Sequence, residues 1–339
     1  MKLFGKDLAK EVALVAEIGV NHEGDPEKAF ELMRLAAQAG ADAVKFQSYT
    51  AERFISAVDP DRLERVGRFA LDEQTHRELA AEAKSLGVSF FSSAISEDWV
   101  PLLAELGEAI KIASGDLTFE PVIRAAAESG RKVLLSTGAS DIDEIDRAVA
   151  WVRDVVGDAN LSSRLLLMHC VSAYPTPMEQ ANFLSIPFLQ QRYHPVAVGY
   201  SNHVIGTEAA IAAVALGARV VEMHFTDQKD GREFRDHSLS ADAADIRYLT
   251  EILPKVAAGR GTWGKPVQPC EEMMPEIIRK GVVAAHDLEA GTVLGQDDLM
   301  FARPATEYSA GELPQLIGAT LNMPCSKGHP ILRSSVERS

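Results

Sequence analysis

From residue 12 onward, short apolar runs alternate with longer segments in which apolar residues recur at helical spacing. This alternation is typical of successive βα units around a parallel sheet. Each apolar run ends in polar residues. The runs predict eight strands, at 12–20, 41–49, 88–94, 109–114, 132–137, 164–172, 196–203 and 220–226.

The intervening segments carry helix start and stop signals. The helix predicted over 26–39 has Asp25 as its N-cap, Pro26 at its first position and Gly40 after its end. Further Ala-rich helices are predicted at about 71–86, 120–129, 141–156 and 206–217. Eight strands alternating with helices over about 250 residues predict an α/β fold, a TIM (β/α)8 barrel.

A doubly wound open sheet is the main alternative for this pattern. Such sheets usually carry an early glycine-rich phosphate loop of the form G-x-G-x-x-G, and the segment 19–24, GVNHEG, does not match it. The barrel interpretation is therefore preferred, with the barrel domain assigned to 1–259.

After Ala258 the pattern breaks into a segment rich in glycine and proline, and we assign 260–275 to a linker. The remaining residues, 276–339, contain short apolar runs separated by turn signals. They predict a small, mostly β domain, with apolar runs at 281–285, 292–294 and 330–332.

Composition excludes several classes of function. The 34 Lys and Arg against 49 Asp and Glu give a net charge of −15, which argues against nucleic acid or an anionic membrane as the main partner. No apolar run reaches the roughly 20 residues of a membrane span, and the first residues lack a signal-peptide pattern, so we expect a cytoplasmic protein. The 3 cysteines are widely spaced, which argues against a disulfide framework or a structural zinc site.

Two lysines stand on predicted core strands, Lys45 and Lys111. A buried ammonium needs a negative partner, and reactive groups of a TIM barrel gather at the carboxyl ends of its strands. One interpretation pairs each lysine with a barrel carboxylate such as Glu17 or Glu222. The preferred interpretation is a site for a phosphate- or carboxylate-bearing ligand, because serines on neighbouring strand ends can donate to its oxygens.

Two histidines, His203 and His224, close the last two predicted strands, which are neighbours in a barrel. Both imidazoles can therefore reach one divalent cation. The alternative is that each is a hydrogen-bonded core residue. Two histidines without a cysteine suit Mn, Fe, Co or Zn equally, so the residues alone leave the metal open.

The strand ends, taken in order, carry a set of motifs: AEIGVNHEG at 16–24, KFQ at 45–47, KIASGD at 111–116, STG at 136–138, HCVSAYPTP at 169–177, GYSNH at 199–203 and EMHFT at 222–226. This ordered set resembles the sialic acid (N-acetylneuraminate) synthase family, which includes legionaminic and pseudaminic acid synthases and spore-coat polysaccharide biosynthesis homologues. The tail resembles that family's C-terminal antifreeze-like (SAF) domain, so the resemblance covers the whole chain.

The resemblance implies a metal-dependent condensation of phosphoenolpyruvate with the open-chain aldehyde of an N-acylated hexosamine, giving a nine-carbon 2-keto acid and phosphate. It implies that His203 and His224 hold a divalent ion, Mn²⁺ first, with Mg²⁺ or Co²⁺ as alternatives. Lys45 and Lys111 would hold the phosphoenolpyruvate. The hydroxyls expected to donate to its phosphate are those of Ser114, Ser136, Ser172 and Ser201.

A carboxylate is also expected near the carbon that water must trap, with Glu17 as first choice and Asp116 as second. Contacts to the sugar or phosphate are expected from Gln47, Tyr174 and Asp236. In the family, the arginine that corresponds to Arg303 reaches the partner subunit's site, so the resemblance implies a domain-swapped homodimer.

The chain departs from the family pattern near the expected site. Its segment 113–116 reads ASGD where members often have GSGE, and Asn202 stands where Asp is common. Two alternatives follow for the function. One is a related phosphoenolpyruvate-dependent barrel synthase that acts on another aldose or a sugar phosphate. The other is a non-catalytic homologue that binds carbohydrate or a partner in polysaccharide biosynthesis.

Overall fold

A computed structural model gives the architecture and describes residues 1–232, 234 and 236–337. The chain divides into two compact units, 1–261 and 262–339. The expected linker, 260–275, lies at this division. Within the described residues, every helix is too short or too polar to cross a membrane.

The first unit is a closed barrel of eight parallel strands, so the predicted TIM barrel is confirmed. Each strand pairs with the next along the chain, and the last closes the barrel against the first. The strands are β1 (Ala13–Gly19), β2 (Ala43–Ser48), β3 (Ser89–Ala94), β4 (Ala109–Ile112), β5 (Lys132–Ser136), β6 (Leu165–His169), β7 (Ala197–Asn202) and β8 (Val220–His224).

Helices connect these strands on the outside of the barrel. The helix Pro26–Ala39 begins at the predicted cap, where the Asp25 side chain accepts from the backbone N–H of Glu27, and it ends at Gly40 with φ of 96°. The other helices of this unit are Ala51–Phe54, Pro60–Phe69, Glu73–Leu86, Val100–Leu106, Glu120–Glu128, Ile142–Val156, Asp158–Arg164, Ser185–Arg192, Glu208–Ala215, Asp236–Leu239 and Ala243–Gly259.

The observed strands are shorter than the predicted ones, mostly at the carboxyl end. The run 164–172, for example, contributes only Leu165–His169 to β6. The polar residues that follow a strand have left the ladder because they turn into the loops above the barrel. Residues predicted at strand ends therefore lie partly in β strands and partly in these loops.

Inward-pointing side chains form layers because alternate residues of each strand face the axis. The layer near the amino ends of the strands is apolar, and a hairpin of Lys2–Leu3 and Lys6–Asp7 covers it. Phe4 packs on Phe91 of β3, with ring centroids 4.7 Å apart. The cluster comprises Leu3, Phe4, Leu8, Ala13, Val15, Ala43, Phe91, Ala109, Leu134, Leu166, Met168 and Val220.

The second unit is small and mostly β, and within residues 262–337 it contains strand pairs, one short α-helix, Met274–Ile278, and several short 3-10 helices. Its strands are Gly281–Ala284, Leu299–Ala302, Thr320–Leu321 and Val336–Glu337. The apolar runs at 292–294 and 330–332 are not strands, because each joins its neighbour through a single bridge, Val293 with Thr320 and Val283 with Pro330.

Candidate active site

One step above the apolar layer, the same strands point four charged side chains into the barrel. Glu17 comes from β1, Lys45 from β2, Lys111 from β4 and Glu222 from β8. All four are at least 95% buried. Glu17 and Lys45 are direct neighbours in the pairing of β1 with β2. Closure of the barrel brings Lys111 of β4 and Glu222 of β8 together across the interior. We call these four residues the charged layer.

Short ion pairs link the charged layer. Lys45 Nζ lies 2.7 Å from Glu17 Oε2 and 3.8 Å from Glu222 Oε1. Lys111 Nζ donates to both oxygens of Glu222 at 2.8 Å. Each lysine is thus paired with a barrel carboxylate, which is the first of the two interpretations of these lysines given by the sequence. The pairing does not exclude a ligand, because all four side chains also line a cavity.

The two carboxyl groups of the charged layer differ in proton affinity. Burial raises the pKa of Glu17 to about 7, against the opposing effect of Lys45. Burial also acts to raise the pKa of Glu222, but Lys111 and Lys45 outweigh it and lower that pKa to about 2. Glu222 therefore remains a carboxylate, while Glu17 exchanges a proton near neutral pH.

Hydroxyl groups surround the charged layer. Ser93 Oγ accepts from Lys45 Nζ at 3.1 Å, and Ser201 Oγ donates to Glu222 Oε1 at 2.9 Å. Ser136 closes β5 and lines the same cavity. The site thus holds several O–H groups that can turn toward an anion.

A second group of small polar side chains gathers where the loops after β4, β5 and β6 meet. Gly138 N donates to Ser114 Oγ at 3.1 Å, and Ser114 Oγ lies 3.2 Å from Cys170 Sγ. A Cβ on Gly138 would lie 2.4 Å from Ser172 Oγ and 2.8 Å from Ser114 Oγ. Only a glycine here lets both hydroxyls approach the same point.

The two predicted histidines meet above the charged layer. The ring centroids of His203 and His224 are 5.5 Å apart, and the Tyr174 ring lies 4.1 Å from that of His203. His203 Nδ1 lies 2.6 Å from the carbonyl oxygen of Val171. Because a carbonyl only accepts, Nδ1 carries the proton, and the lone pair of a neutral ring is on Nε2.

This pair of imidazoles fits a divalent cation by donor chemistry. Burial, with the nearby His224, lowers the pKa of His203 to about 3, so its ring stays neutral, as a metal ligand must. The Val171 carbonyl orients that ring in the way outer hydrogen bonds orient metal-binding histidines. Across residues 1–232, 234 and 236–337, no group of three or more His, Cys, Asp or Glu side chains is arranged to hold a metal.

Two adjoining cavities open from this site. The inner one, about 70 Å³, is lined by the charged layer, both imidazoles and the side chains of Gln47, Ser93, Ser114, Ser136, Cys170, Tyr174 and Ser201. The outer one, about 750 Å³, we call the vestibule. The residues that line both are Gln47, Ala113, Ser114, Tyr174 and His224. The vestibule lies within the size range of ligand pockets, about 300–1,000 Å³.

The predicted site residues divide between the two cavities. Those that line only the inner one are Glu17, Lys45, Lys111, Ser136, Ser201 and His203. Asp116, Ser172 and Asp236 line only the vestibule. Burial raises the pKa of Asp116 to about 7. Arg303 belongs to the second unit, where it is exposed.

Sequence reasoning missed three contributors to this site, Ser93, Cys170 and Gly138, and it named Glu222 only as a possible partner of a lysine. Ser93 could have been found from the period of two, because it points to the same face of the sheet as Lys111 on the adjacent strand. Cys170 and Gly138 carry no such signal, since they lie in loops.

Comparison with protein families gives two matches along the chain. Residues 32–265 match the model of the NeuB family, and residues 279–337 match the SAF domain. The first match covers most of the barrel. The second covers the small β unit, so the predicted SAF domain is confirmed.

Similar proteins extend over nearly the full chain. An uncharacterized protein of Methanocaldococcus jannaschii is 38% identical, with 86% of this chain and 84% of that protein covered. The N,N'-diacetyllegionaminic acid synthase of Campylobacter jejuni is 33% identical, with 91% and 95% covered. The N-acetylneuraminate-9-phosphate synthase of Mus musculus is 29% identical, with 96% and 92% covered.

Solved structures show the same architecture. The putative spore coat polysaccharide biosynthesis protein E of Chromobacterium violaceum has a TM-score of 0.77 at 27% identity, with 97% of this chain and 100% of that chain covered. The N-acetylneuraminic acid synthetase of Leptospira borgpetersenii, solved with citrate, has a TM-score of 0.72 at 30% identity, with 78% and 90% covered.

Proposed function

The chain belongs to the NeuB family, the family of sialic acid synthases and their relatives, and on that premise we propose that it condenses phosphoenolpyruvate with the open-chain aldehyde of an N-acylated hexosamine. The products are a nine-carbon 2-keto acid and inorganic phosphate. Homologues named as acid synthases support an enzyme of this family. The identity of both substrates is part of the proposal.

The observation that carries the proposal is the charged layer beneath two imidazoles. Burying two lysines and two carboxylates costs more in desolvation than the ion pairs return in many proteins. A buried charged layer at the carboxyl end of a barrel is expected where those charges bind a charged substrate. Phosphoenolpyruvate carries both a carboxylate and a phosphate, which suit two ammonium groups.

Lys45 and Lys111 would bind the two anionic groups of phosphoenolpyruvate. Hydroxyl groups near the two lysines would donate to the phosphate oxygens. They are those of Ser136 and Ser201 in the inner cavity and of Ser114 and Ser172 at its rim. Gly138 supports this rim because it lets the Ser114 and Ser172 hydroxyls converge.

His203 and His224 would hold a divalent cation, with Mn²⁺ first and Mg²⁺ or Co²⁺ as alternatives. When bound, such a cation polarises the aldehyde oxygen and orients the aldehyde. The chain's own part is to keep the His203 ring neutral and to hold it close to the His224 ring. The Val171 carbonyl orients the His203 ring.

The reaction forms one carbon–carbon bond, between the enol carbon and the aldehyde carbon, and the aldehyde oxygen takes up a proton. Water then adds to the carbon that bears the phosphate, and the bond from that carbon to the phosphate oxygen breaks. A carboxyl group is needed to stabilise the cationic centre or to accept the proton of the water. Burial raises the pKa of both Glu17 and Asp116 to about 7, so position decides: Glu17 lines the inner cavity, which supports it over Asp116 in the vestibule.

The sugar would occupy the vestibule. Gln47 and Tyr174 line both cavities and so face the boundary between the two substrates, while Asp236 lines the vestibule. Family resemblance adds Arg303, which would contact the N-acyl group from a partner subunit in a domain-swapped homodimer. Sedimentation of the full chain tests this part directly, since a monomer would contradict it.

The test of the function is phosphate release from phosphoenolpyruvate with Mn²⁺ against a panel of aldoses: N-acetylmannosamine, its 2,4-diacetamido-trideoxy relatives, and arabinose and mannose phosphates. We expect release with an acylated hexosamine, loss of release in His203→Ala and His224→Ala, and loss of bound Mn²⁺ in both. His286→Ala, on an exposed histidine of the second unit, is the matched control and should keep both. Metal-replete protein that releases no phosphate with any sugar would contradict the proposal and favour a non-catalytic homologue.

A sugar phosphate is the second candidate, and one feature of the vestibule favours it. Arg62 and Arg65, both on the helix Pro60–Phe69, line the vestibule. Neither guanidinium has an ion-pair partner among the residues that the structure describes. Release only with a phosphorylated aldose, lost in Arg62→Gln/Arg65→Gln, would select this candidate.

A further inference from the structure

A third cavity lies at the opposite end of the barrel, where β7 and β8 begin. Its volume is about 480 Å³. We call it the basal cavity. Its lining residues are Met1, Leu8, Ala9, Ser162, Gln190, His194, Pro195, Val196, Ala197, Val198, Arg219 and Arg260.

The charge of the basal cavity is opposite to that of the chain. The net charge of the chain is −15, yet the cavity is lined by Arg219, Arg260 and His194 and by no Asp or Glu. The vestibule, in contrast, combines arginines with Asp116, Glu144 and Asp236. A cavity lined by positive charges alone attracts anions through its local field, even on a protein whose net charge is negative.

Neither arginine is neutralised. Within the described residues, the guanidinium groups of Arg219 and Arg260 have no hydrogen-bond or ion-pair partner. Burial lowers the pKa of Arg219, and the charge of the nearby Arg260 lowers it further, because two cations lie close together. Arg219 is half-buried, and a charge that is partly removed from water is stabilised by a counter-ion.

Arg260 is exposed, but its guanidinium lies beside Gly217 at the wall of this cavity. A Cβ on Gly217 would lie 2.8 Å from Arg260 Nη2 and 2.5 Å from Gln190 Nε2. Gln190 Nε2 is held in place because it donates to the Gly217 carbonyl at 2.7 Å. Gly217, at φ of 114°, therefore leaves the space in which the guanidinium lies.

We propose that the basal cavity binds a phosphate monoester, with the phosphate held by Arg219 and Arg260 and the organic part against the apolar wall. A phosphate dianion matches two guanidinium groups in charge and in fork geometry, whereas one carboxylate matches one. The wall that would receive the organic part is formed by Leu8, Pro195, Val196 and Val198. This site is distinct from the candidate active site, because it opens at the other end of the strands.

Isothermal titration of the full chain with phenyl phosphate and with inorganic phosphate, at low ionic strength, tests this proposal. We expect phenyl phosphate to bind more tightly than inorganic phosphate, because only the ester contacts the apolar wall. Arg219→Gln and Arg260→Gln should each weaken phenyl phosphate binding by about tenfold, the effect of losing a charged hydrogen bond. The matched control is Arg247→Gln, an exposed arginine outside the cavity that changes the net charge equally.

Three results would overturn the proposal. The first is the absence of phenyl phosphate binding. The second is equal affinity for the ester and the free anion, which would remove the role of the apolar wall. The third is an equal loss of affinity in Arg247→Gln, or no loss in Arg219→Gln, since either would place the binding elsewhere, including at the top of the barrel.

Discussion

The apolar layer and the charged layer of the barrel interior are built by the inward faces of the same strands. They lie two residues apart along each strand. Below, Val15, Ala43 and Phe91 form a dry apolar layer. Above, Glu17 and Lys45, each two residues further along its strand, belong to the charged layer. The barrel therefore carries stability and chemistry in adjacent layers of one structure.

The two layers differ in what makes their burial stable. Apolar burial stabilises the fold by about 25 cal/mol per Å² wherever shapes fit, with no need for a particular partner. A buried charge is stable only with its own counter-charge at close range. The apolar layer should therefore tolerate change at a moderate cost in stability alone, while changes in the charged layer should affect both stability and activity.

The largest effect is expected for Lys111→Met. It removes the ammonium that donates to both oxygens of Glu222 and leaves a buried carboxylate whose other lysine is 3.8 Å away. We expect the free energy of unfolding, measured in urea, to fall by about 3 kcal/mol. Phosphate release should fall by at least 100-fold, because an anion ligand is lost.

The double variant Lys111→Met/Glu222→Gln is the control for this effect. It removes the stranded charge, so most of the lost stability should return while phosphate release stays low. Equal stability of the single and double variants would show that the charged layer does not behave as a buried ion-pair network.

The opposite pattern is expected at the apolar end for Phe4→Ala. Phe4 is 3% exposed and packs on Phe91, so truncation should lower the free energy of unfolding by about 3 kcal/mol through lost burial and a cavity. Phosphate release at 25 °C should stay within about twofold of the original. Val58→Ala, at a residue 89% exposed, should change stability by less than about 0.5 kcal/mol. A large loss of activity in Phe4→Ala would contradict the separation of the two layers.

The smallest effect concerns Asp116, at the rim of the site. Burial raises its pKa from 3.8 to about 7, so the folded protein binds a proton there that the unfolded chain releases between these pH values. Its contribution to stability is therefore greatest below pH 4 and falls as the pH rises toward about 7. Asp116→Asn should gain stability over the original from pH 5 to pH 8, on the order of 1 kcal/mol. Parallel pH profiles of the two proteins would refute this.

Much of the fold could be predicted because its signals are local. The helix Pro26–Ala39 shows its cap, its proline and its terminal glycine within a few residues. Each strand shows as a short apolar run that ends in polar residues. The apolar runs at 292–294 and 330–332 did not form strands, because each pairs with its neighbour through a single bridge. Such isolated bridges leave no periodicity in the sequence.

The candidate site was less accessible to prediction. Residue type and strand position were enough to select Lys45, Lys111, His203 and His224, because each is unusual on a buried strand. The sequence named Glu17 and Glu222 as possible partners but could not assign which lysine each one contacts, since the contact from Lys111 to Glu222 joins residues 111 positions apart. The basal cavity carried no signal at all, because Arg219 and Arg260 are ordinary residues until the fold brings them together.

The sequence by itself determined the order of strands and helices, the layers along each strand and the side chains presented at the strand ends, because hydrophobic period and capping act between near neighbours. The tertiary structure alone decided how the lysines pair with Glu17 and Glu222, how Gly138 lets two serines converge, and where unpaired arginines meet. These depend on distances across a closed barrel, and closure is a property of all eight strands together.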